Sequence, residues 1–292
     1  MSERALLDHI HVPCALCGAD DTRVLFGGAG RKGLAVYRGE QRLAVTGTER
    51  LVRCRRCGLV YVDPQRQLGP GLATYPASEE AAYFAQTRAA RLAGAEQLLV
   101  RIEALLPGRG RLLDIGCGDG ALLAVAQRRG WDVAGLEPSA RLVEQLAAGE
   151  LAGRVVQGRV EELGPAHSQA DVVILLNVLE HLSTPREALL RIAGLLRPGG
   201  LLAVHVPNWA WGRWFGRRWV QFEPLDHLNY FTSRTLRAML LSVGLQPILR
   251  FSLPGLSPWK VRVQWALNGI GLWPGSGLGL LARSVPDRQV RR

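Results

Sequence analysis

The chain has 292 residues, 48% of them hydrophobic, and a formal charge of +11. That is long enough for a full-sized core plus a small second module, and too apolar for a disordered chain. Arginine carries almost all of the positive charge, since the only lysines are Lys32 and Lys260; such a balance favours anionic partners but speaks to non-specific attraction more than to function.

Cys14 and Cys17 fall in an N-terminal stretch without the uninterrupted apolar core of a secretory leader, so a soluble cytoplasmic protein is expected. Each cysteine of this pair recurs in a second, matched pair: Cys14-Ala-Leu-Cys17-Gly and Cys54-Arg-Arg-Cys57-Gly. Two such knuckles supply four thiolates, the donor set of tetrahedral zinc, with two disulfides as the alternative suited to an oxidising compartment. The 36 residues between the knuckles are long for a zinc ribbon, and the alternation of Leu34, Val36, Leu43, Val45 and Leu51 predicts a hairpin or small sheet there. A short strand ending at Pro64 and a Gly/Pro-rich link through Gly71 follow. Leu92, Ala95, Leu98, Leu99, Ile102 and Leu105 recur at helical spacing, which predicts a helix from Tyr83 to Leu106, stopped by Pro107-Gly108.

From Arg111 the pattern alternates strand and helix, with strands near 111–115, 131–136, 154–157, 171–176 and 200–206. That succession predicts an α/β fold with a parallel sheet covered by helices on both faces. A helix capped by Ser233 runs to about Val243, Leu245 to Leu253 is strand-like, and Leu278 to Ser284 closes the series. Residues 263–282 carry no formal charge, but Pro274 and five glycines break them too often for a membrane span. The expected organisation is a zinc-ribbon module at 1–68, a linker and helical cap at 69–108, and the main domain at 109–292 with an aromatic lid at 207–232.

The first of these strands, Arg111 to Ile115, runs into Gly116-Cys-Gly118-Asp-Gly120, where glycines allow positive φ and close approach of a ligand to the backbone. The second ends in Glu137-Pro-Ser, about 20 residues on from the turn, where an acid holds ribose hydroxyls in nucleotide-type sites. Asn177-Val-Leu-Glu180-His181 and Leu196-Arg-Pro-Gly-Gly200 complete the set, in that order. This set resembles the class I S-adenosylmethionine-dependent methyltransferases, with a Rossmann-like sheet. The Asn177 to His181 run marks the group that includes quinone-biosynthesis and sugar methyltransferases, and Cys14 to Tyr61 resembles a zinc-binding module joined to such enzymes.

The resemblance implies S-adenosylmethionine as cofactor, with Asp114, Gly116 and Gly118 along its methionine end and Glu137 on its ribose. Asn177 at the end of the fourth strand is placed in the same site. Where the family carries an acid beside adenine, this chain has Arg159, so the contact falls to Glu161 or to shape and backbone. His181 either acts as a base or opens the next helix and shapes the cleft; the second is favoured. Pro207 to Trp219 carries four tryptophans and three arginines, which either stack on an acceptor or pack as a lid. Asp226-His227 lies where related sugar enzymes carry an acid–histidine pair, and His227, oriented by Asp226, is expected as the general base or a substrate contact, with a structural role the competing reading. The implied function is methylation of a small-molecule acceptor. An RNA methyltransferase using the zinc module and basic surface is the alternative, and a non-catalytic scaffold a third. Acceptor identity and oligomeric state stay open.

Overall fold

The computed structural model describes residues 9–27, 35–38, 41–44, 49–66, 77–164, 167–216, 219, 221–253 and 277–285. The Gly/Pro-rich link and the uncharged stretch before residue 277 lie outside them. In chain order the first elements are β1 (His9–Ile10), β2 (Thr22–Phe26), β3 (Ala35–Arg38), β4 (Gln41–Ala44), β5 (Arg50–Cys54), β6 (Val60–Asp63), β7 (Gln65–Arg66) and α1 (Ala77–Leu105). Then come β8 (Arg111–Ile115), α2 (Ala121–Arg128), β9 (Asp132–Glu137), α3 (Ala140–Ala147), β10 (Val155–Gln157), β11 (Ala170–Leu176), α4 (Pro185–Leu195) and β12 (Leu196–Pro207). The last are α5 (Trp209–Phe215), β13 (Asn229–Tyr230), α6 (Ser233–Leu241), β14 (Leu245–Phe251) and β15 (Gly277–Ser284).

Two compact units result. One comprises Met1–Ala85, Glu180–Pro185 and Pro207–Leu236; the other comprises Gln86–Leu179, Arg186–Val206 and Arg237–Arg292. The second holds a seven-stranded sheet in the order β10-β9-β8-β11-β12-β15-β14. β8 pairs in parallel with β9 and β11, β11 with β12, and β14 runs antiparallel to β15. The order reverses direction between β8 and β11, which puts the ligand position of an open α/β sheet beyond the carboxyl ends of those strands. Near-continuous burial of β8 and β11 fits strands covered on both faces. α1 lays Ala95, Leu98, Leu99 and Ile102 on the core beside Leu112, Val172 and Leu201.

The expected strands 111–115, 154–157 and 171–176 are found within a residue of those bounds. β12 starts four residues earlier than expected, at Leu196. The Pro-Gly-Gly run enters the strand through an irregularity opposite Ala170 and Val172, where a Cβ on Gly200 would meet the backbone oxygens of Ala170 and Asp171 at 3.1 and 3.2 Å. α1 starts six residues before Tyr83, with Glu79 and Glu80 in its first turn to complement the helix dipole. The cap of α6 is corrected to Thr232: its Oγ1 accepts from the Thr235 amide at 3.3 Å while Thr235 Oγ1 accepts from the Thr232 amide at 3.0 Å.

The first unit is built on a four-stranded antiparallel sheet, β13-β6-β5-β2. The expected hairpin between the knuckles is β3 with β4. β13 arrives from the segment grouped by sequence with the main domain, and Trp209, Trp219, Phe222 and Tyr230 from that segment pack with Leu51, Val60 and Val62. No helix among the described residues is long and apolar enough to cross a membrane.

Candidate active site

In the seven-stranded unit, Asp114 lies one residue before the end of β8 and Glu137 ends the neighbouring parallel β9, and both are buried, at 4% and 6% exposure. Glu137 holds the glycine turn in shape: its Oε2 accepts from the Gly118 amide at 2.9 Å and its Oε1 from the Ser139 amide at 2.9 Å. Asp114 has no hydrogen-bond donor among the described residues. Burial, and then the neighbouring Glu137, push its carboxyl up to about 8. A buried acid left without a protein donor suits a ligand that brings a cation or N–H donors of its own. Gly116 has φ +72°, and a Cβ there would come 2.5 Å from Val178 Cγ2, so the turn closes only with glycine. Gly118 and Gly120 also take positive φ, at 57° and 71°.

One residue of this turn, Asp119, and the two arginines that hold it escape a motif reading. Asp119 accepts from the Ala121 amide at 3.2 Å, supplying the cap that Gly120 lacks at the start of α2. Arg91 of α1 grips the same carboxylate with both terminal nitrogens, and Arg88 adds a bond of 2.7 Å. Although burial opposes it, these arginines hold Asp119 below the ordinary carboxylate range. The signal in the sequence is the one-turn spacing of Arg88 and Arg91, which has no meaning until α1 is placed.

Past β10, Arg159 and Glu161 are both exposed, with Arg159 preceding the 3-10 turn Val160–Glu162. Asn177 follows β11 with φ +53°, a left-handed conformation that asparagine tolerates. Its Oδ1 accepts from His205 Nδ1 at 2.9 Å. His205 is buried, which lowers it to about 4 and keeps the imidazole neutral.

Three residues beyond Asn177 the chain enters the other unit at Glu180 and His181. There His181 and His227 meet edge to face with ring centroids 4.8 Å apart. His227 Nδ1 lies 3.0 Å from the Gln221 carbonyl, an acceptor only, so Nδ1 carries the proton and Nε2 keeps its lone pair in the neutral ring. Asp226 serves the other histidine more directly: His181 Nδ1 is 3.0 Å from the Asp226 carbonyl and 3.3 Å from its Oδ1. Burial works against charge on His181, but Asp226 and then Glu180 outweigh it and raise the group to about 9. The Gln221 carbonyl thus fixes the His227 ring, while Asp226 faces His181 and favours its cationic form. Glu180 is fully buried with both carboxylate oxygens lacking a hydrogen bond, 3.9 Å from His181 Nε2, and its pKa is raised by burial against the pull of both histidines. Glu180, His181 and His227 place one donor atom each within 4.8 Å, so the cluster could also ligate a divalent cation.

The four cysteines converge as free thiols. Cys14 and Cys57 sulfurs are 3.4 Å apart and those of Cys17 and Cys54 3.6 Å, close to the edge of about 3.8 Å in a tetrahedral zinc–thiolate site. The knuckles match: the amides of Gly18 and Gly58 bond back to the Cys14 and Cys54 carbonyls at 2.8 and 3.1 Å, with φ of +69° and +85°. In the aromatic segment the two readings divide between residues. Trp209 and Trp219 are 5% exposed and pack on Tyr230, whereas Trp214 is 74% exposed with the Arg213 guanidinium 5.2 Å from its ring.

Comparison with known proteins agrees with this geometry. A ubiquinone biosynthesis O-methyltransferase of Cereibacter sphaeroides is 33% identical over 182 residues, 57% of this chain and 72% of the relative. The complex between the Haloferax volcanii Trm112 methyltransferase activator and a putative methyltransferase contains a similar fold, with TM-score 0.54, 17% identity, and coverage of 72% of this chain and 95% of the other. The SAM-bound CalS10, an amino pentose methyltransferase from Micromonospora echinaspora, gives TM-score 0.50 and 20% identity over 73% of this chain and 99% of the other. The methyltransferase domain family matches residues 84–249, so the chain belongs to that family and is a class I S-adenosylmethionine-dependent methyltransferase.

Proposed function

We propose that the chain methylates a small-molecule acceptor, such as a sugar carrier or other biosynthetic intermediate, at a hydroxyl or acidic carbon, and that His227 removes the acceptor's proton. The observation that carries this is the fixed tautomer of His227, whose Nδ1 is committed to the Gln221 carbonyl and whose Nε2 is left basic. The names of the relatives, which act in quinone and amino-sugar chemistry, support a small acceptor. When bound, S-adenosylmethionine supplies a methyl group on a sulfonium. Asp114, Gly116 and Gly118 would hold its methionine end, Glu137 its ribose, and Glu161 and Asn177 would line the rest. His181, held as an imidazolium by Asp226, orients rather than abstracts, because a group with a pKa of about 9 has no free lone pair at neutral pH. One zinc on Cys14, Cys17, Cys54 and Cys57 would be structural, since four thiolates leave no open position.

Replacing the base tests the reading. His227→Ala should keep S-adenosylmethionine affinity and lose about 10²–10⁴-fold in turnover with the native acceptor, found by accurate-mass analysis of metabolites in a strain lacking the protein. Turnover within a fewfold of wild type with a lowered melting temperature would assign His227 to packing instead.

A further inference from the structure

A second cluster of charge in the cysteine unit has no part in the site above. An open cleft of about 310 Å³ lies over the second knuckle, lined by Arg23, Arg53, Arg55, Arg56 and Arg234 with Gly58 and two of the cysteines. Arg23 of β2 and Arg53 of β5 stand directly opposite each other in the strand register. Like charges so placed destabilise a sheet, so the pair is a local cost that an anion would remove. Gly58 turns the chain at the mouth with φ +85°, and a Cβ there would only touch Arg53 Nη2, at 3.5 Å. Arg55 is engaged, by the Thr22 carbonyl at 3.2 Å and Asp21 at 3.3 Å. Arg23, Arg53, Arg56 and Arg234 have no acidic partner among the described residues. A zinc tetrathiolate beside them would be doubly negative, which offsets part of this charge but leaves a positive surplus.

We infer that this cleft binds the diphosphate group of the methyl acceptor. Guanidinium forks recognise phosphoryl oxygens bidentately, and four positive charges outnumber those of a single phosphate and come closer to those of a diphosphate. The volume is at the lower end of small-molecule sites. The lining offers no aromatic ring on which a base could stack, which disfavours single-stranded nucleic acid. The position also suits an acceptor. Arg53 pairs with Val60, and Val60 with Tyr230 at the far end of β13, while His227 precedes the near end of the same strand. His227 precedes Tyr230 by three residues, about 10 Å at 3.3 Å per residue, and Arg53 lies two strands across from Tyr230 at about 4.8 Å each, so the two are about 14 Å apart, the order of length spanned by a sugar ring and a diphosphate. This inference rests on the small-acceptor reading and names the acceptor's anchoring group.

The test is calorimetry of inorganic pyrophosphate on the zinc-loaded full chain, with S-adenosylmethionine titrated in parallel. Pyrophosphate should bind one to one, more tightly than orthophosphate, and Arg53→Gln/Arg234→Gln should weaken it at least about tenfold with zinc content and S-adenosylmethionine affinity unchanged. Should that variant fail to fold, the wild-type protein still decides: pyrophosphate should protect Arg23, Arg53 and Arg234 from phenylglyoxal, read by peptide mass spectrometry. Affinity added by thymidine diphosphate assigns a nucleotide carrier, and affinity added by farnesyl diphosphate a lipid carrier. No pyrophosphate binding, binding unaffected by the double variant, no protection, or tight binding of a single-stranded RNA that pyrophosphate does not displace would each overturn the inference. Loss of S-adenosylmethionine binding in the wild type would instead strike the functional reading beneath it.

Discussion

The two units are assembled in different ways. In the seven-stranded unit a buried acid and a glycine turn come from one contiguous stretch, and the turn is braced from outside by Glu137, Arg91 and Arg88. In the cysteine unit the working groups come from segments far apart in sequence: knuckles at 14–17 and 54–57, Glu180-His181, and Gln221 to His227. The first is a turn held by backbone shape, which a single side chain can weaken only in part. The second is a convergence of side chains from distant segments, tied locally by backbone carbonyls and knuckle amides, and it depends on each contributor. The lesson is that cofactor recognition and acceptor chemistry should fail separately under mutation.

The largest expected effect tests that separation. Cys54→Ser, or zinc removal by chelation, should unfold the cysteine unit and abolish turnover, because a structural zinc site contributes its binding energy to folding. S-adenosylmethionine affinity should survive. The checks are elemental analysis, with one zinc per chain expected, and limited proteolysis of residues 9–66. Zinc well below one per chain, or disulfide-linked peptides, would remove zinc from the account.

A smaller effect sharpens the cofactor side. Asp114 is raised to about 8, so in the ligand-free protein it is mostly protonated at pH 6–7. A cationic ligand needs the carboxylate, so S-adenosylmethionine affinity should rise with pH up to about 8 and level off. The same raised pKa makes the free protein lose stability as pH climbs from the ordinary carboxylate range toward 8. Asp114→Asn should remove both dependences, raising the melting temperature of the free protein above pH 8 while weakening the cofactor. Calorimetry and thermal scans from pH 6 to 9 read both, and a pH-independent wild type would contradict the assignment.

Arg91→Ala gives a more modest loss. It removes a bidentate hold on Asp119 but leaves the Ala121 amide bond and Arg88, so cofactor affinity should fall about 3–10-fold, or about 0.7–1.4 kcal/mol, less than the roughly 1.5–3 kcal/mol of a charged hydrogen bond lost outright. Unchanged affinity would show that the turn needs no brace from α1.

The sequence was most legible where function is local. Asp114, Gly116, Gly118 and Glu137 sit at strand ends that periodicity alone locates, and each cysteine knuckle is a short motif with its own turn geometry. Long-range pairing was the hard part. Nothing near Asp226 in sequence says that its carbonyl and carboxylate reach back 45 residues to His181, or that a backbone carbonyl fixes His227. The aromatic segment was legible only in part for a related reason: β13 pairs with β6 across more than 160 residues, and Trp209 and Trp219 share the core of the cysteine unit, a pairing that no local pattern announces. Thr232 rather than Ser233 caps α6 because a reciprocal bond with Thr235 outweighs adjacency.

The central claim is that the glycine turn and its two acids form the cofactor site. Titration of S-adenosylmethionine into the wild type and Glu137→Ala tests it most directly. The wild type should bind one equivalent, and the variant should lose about 1.5–3 kcal/mol, because the ribose hydroxyls lose a charged acceptor and the Gly118 amide loses its partner. Equal affinity in the two proteins, or binding of NAD with none of S-adenosylmethionine, would contradict the account.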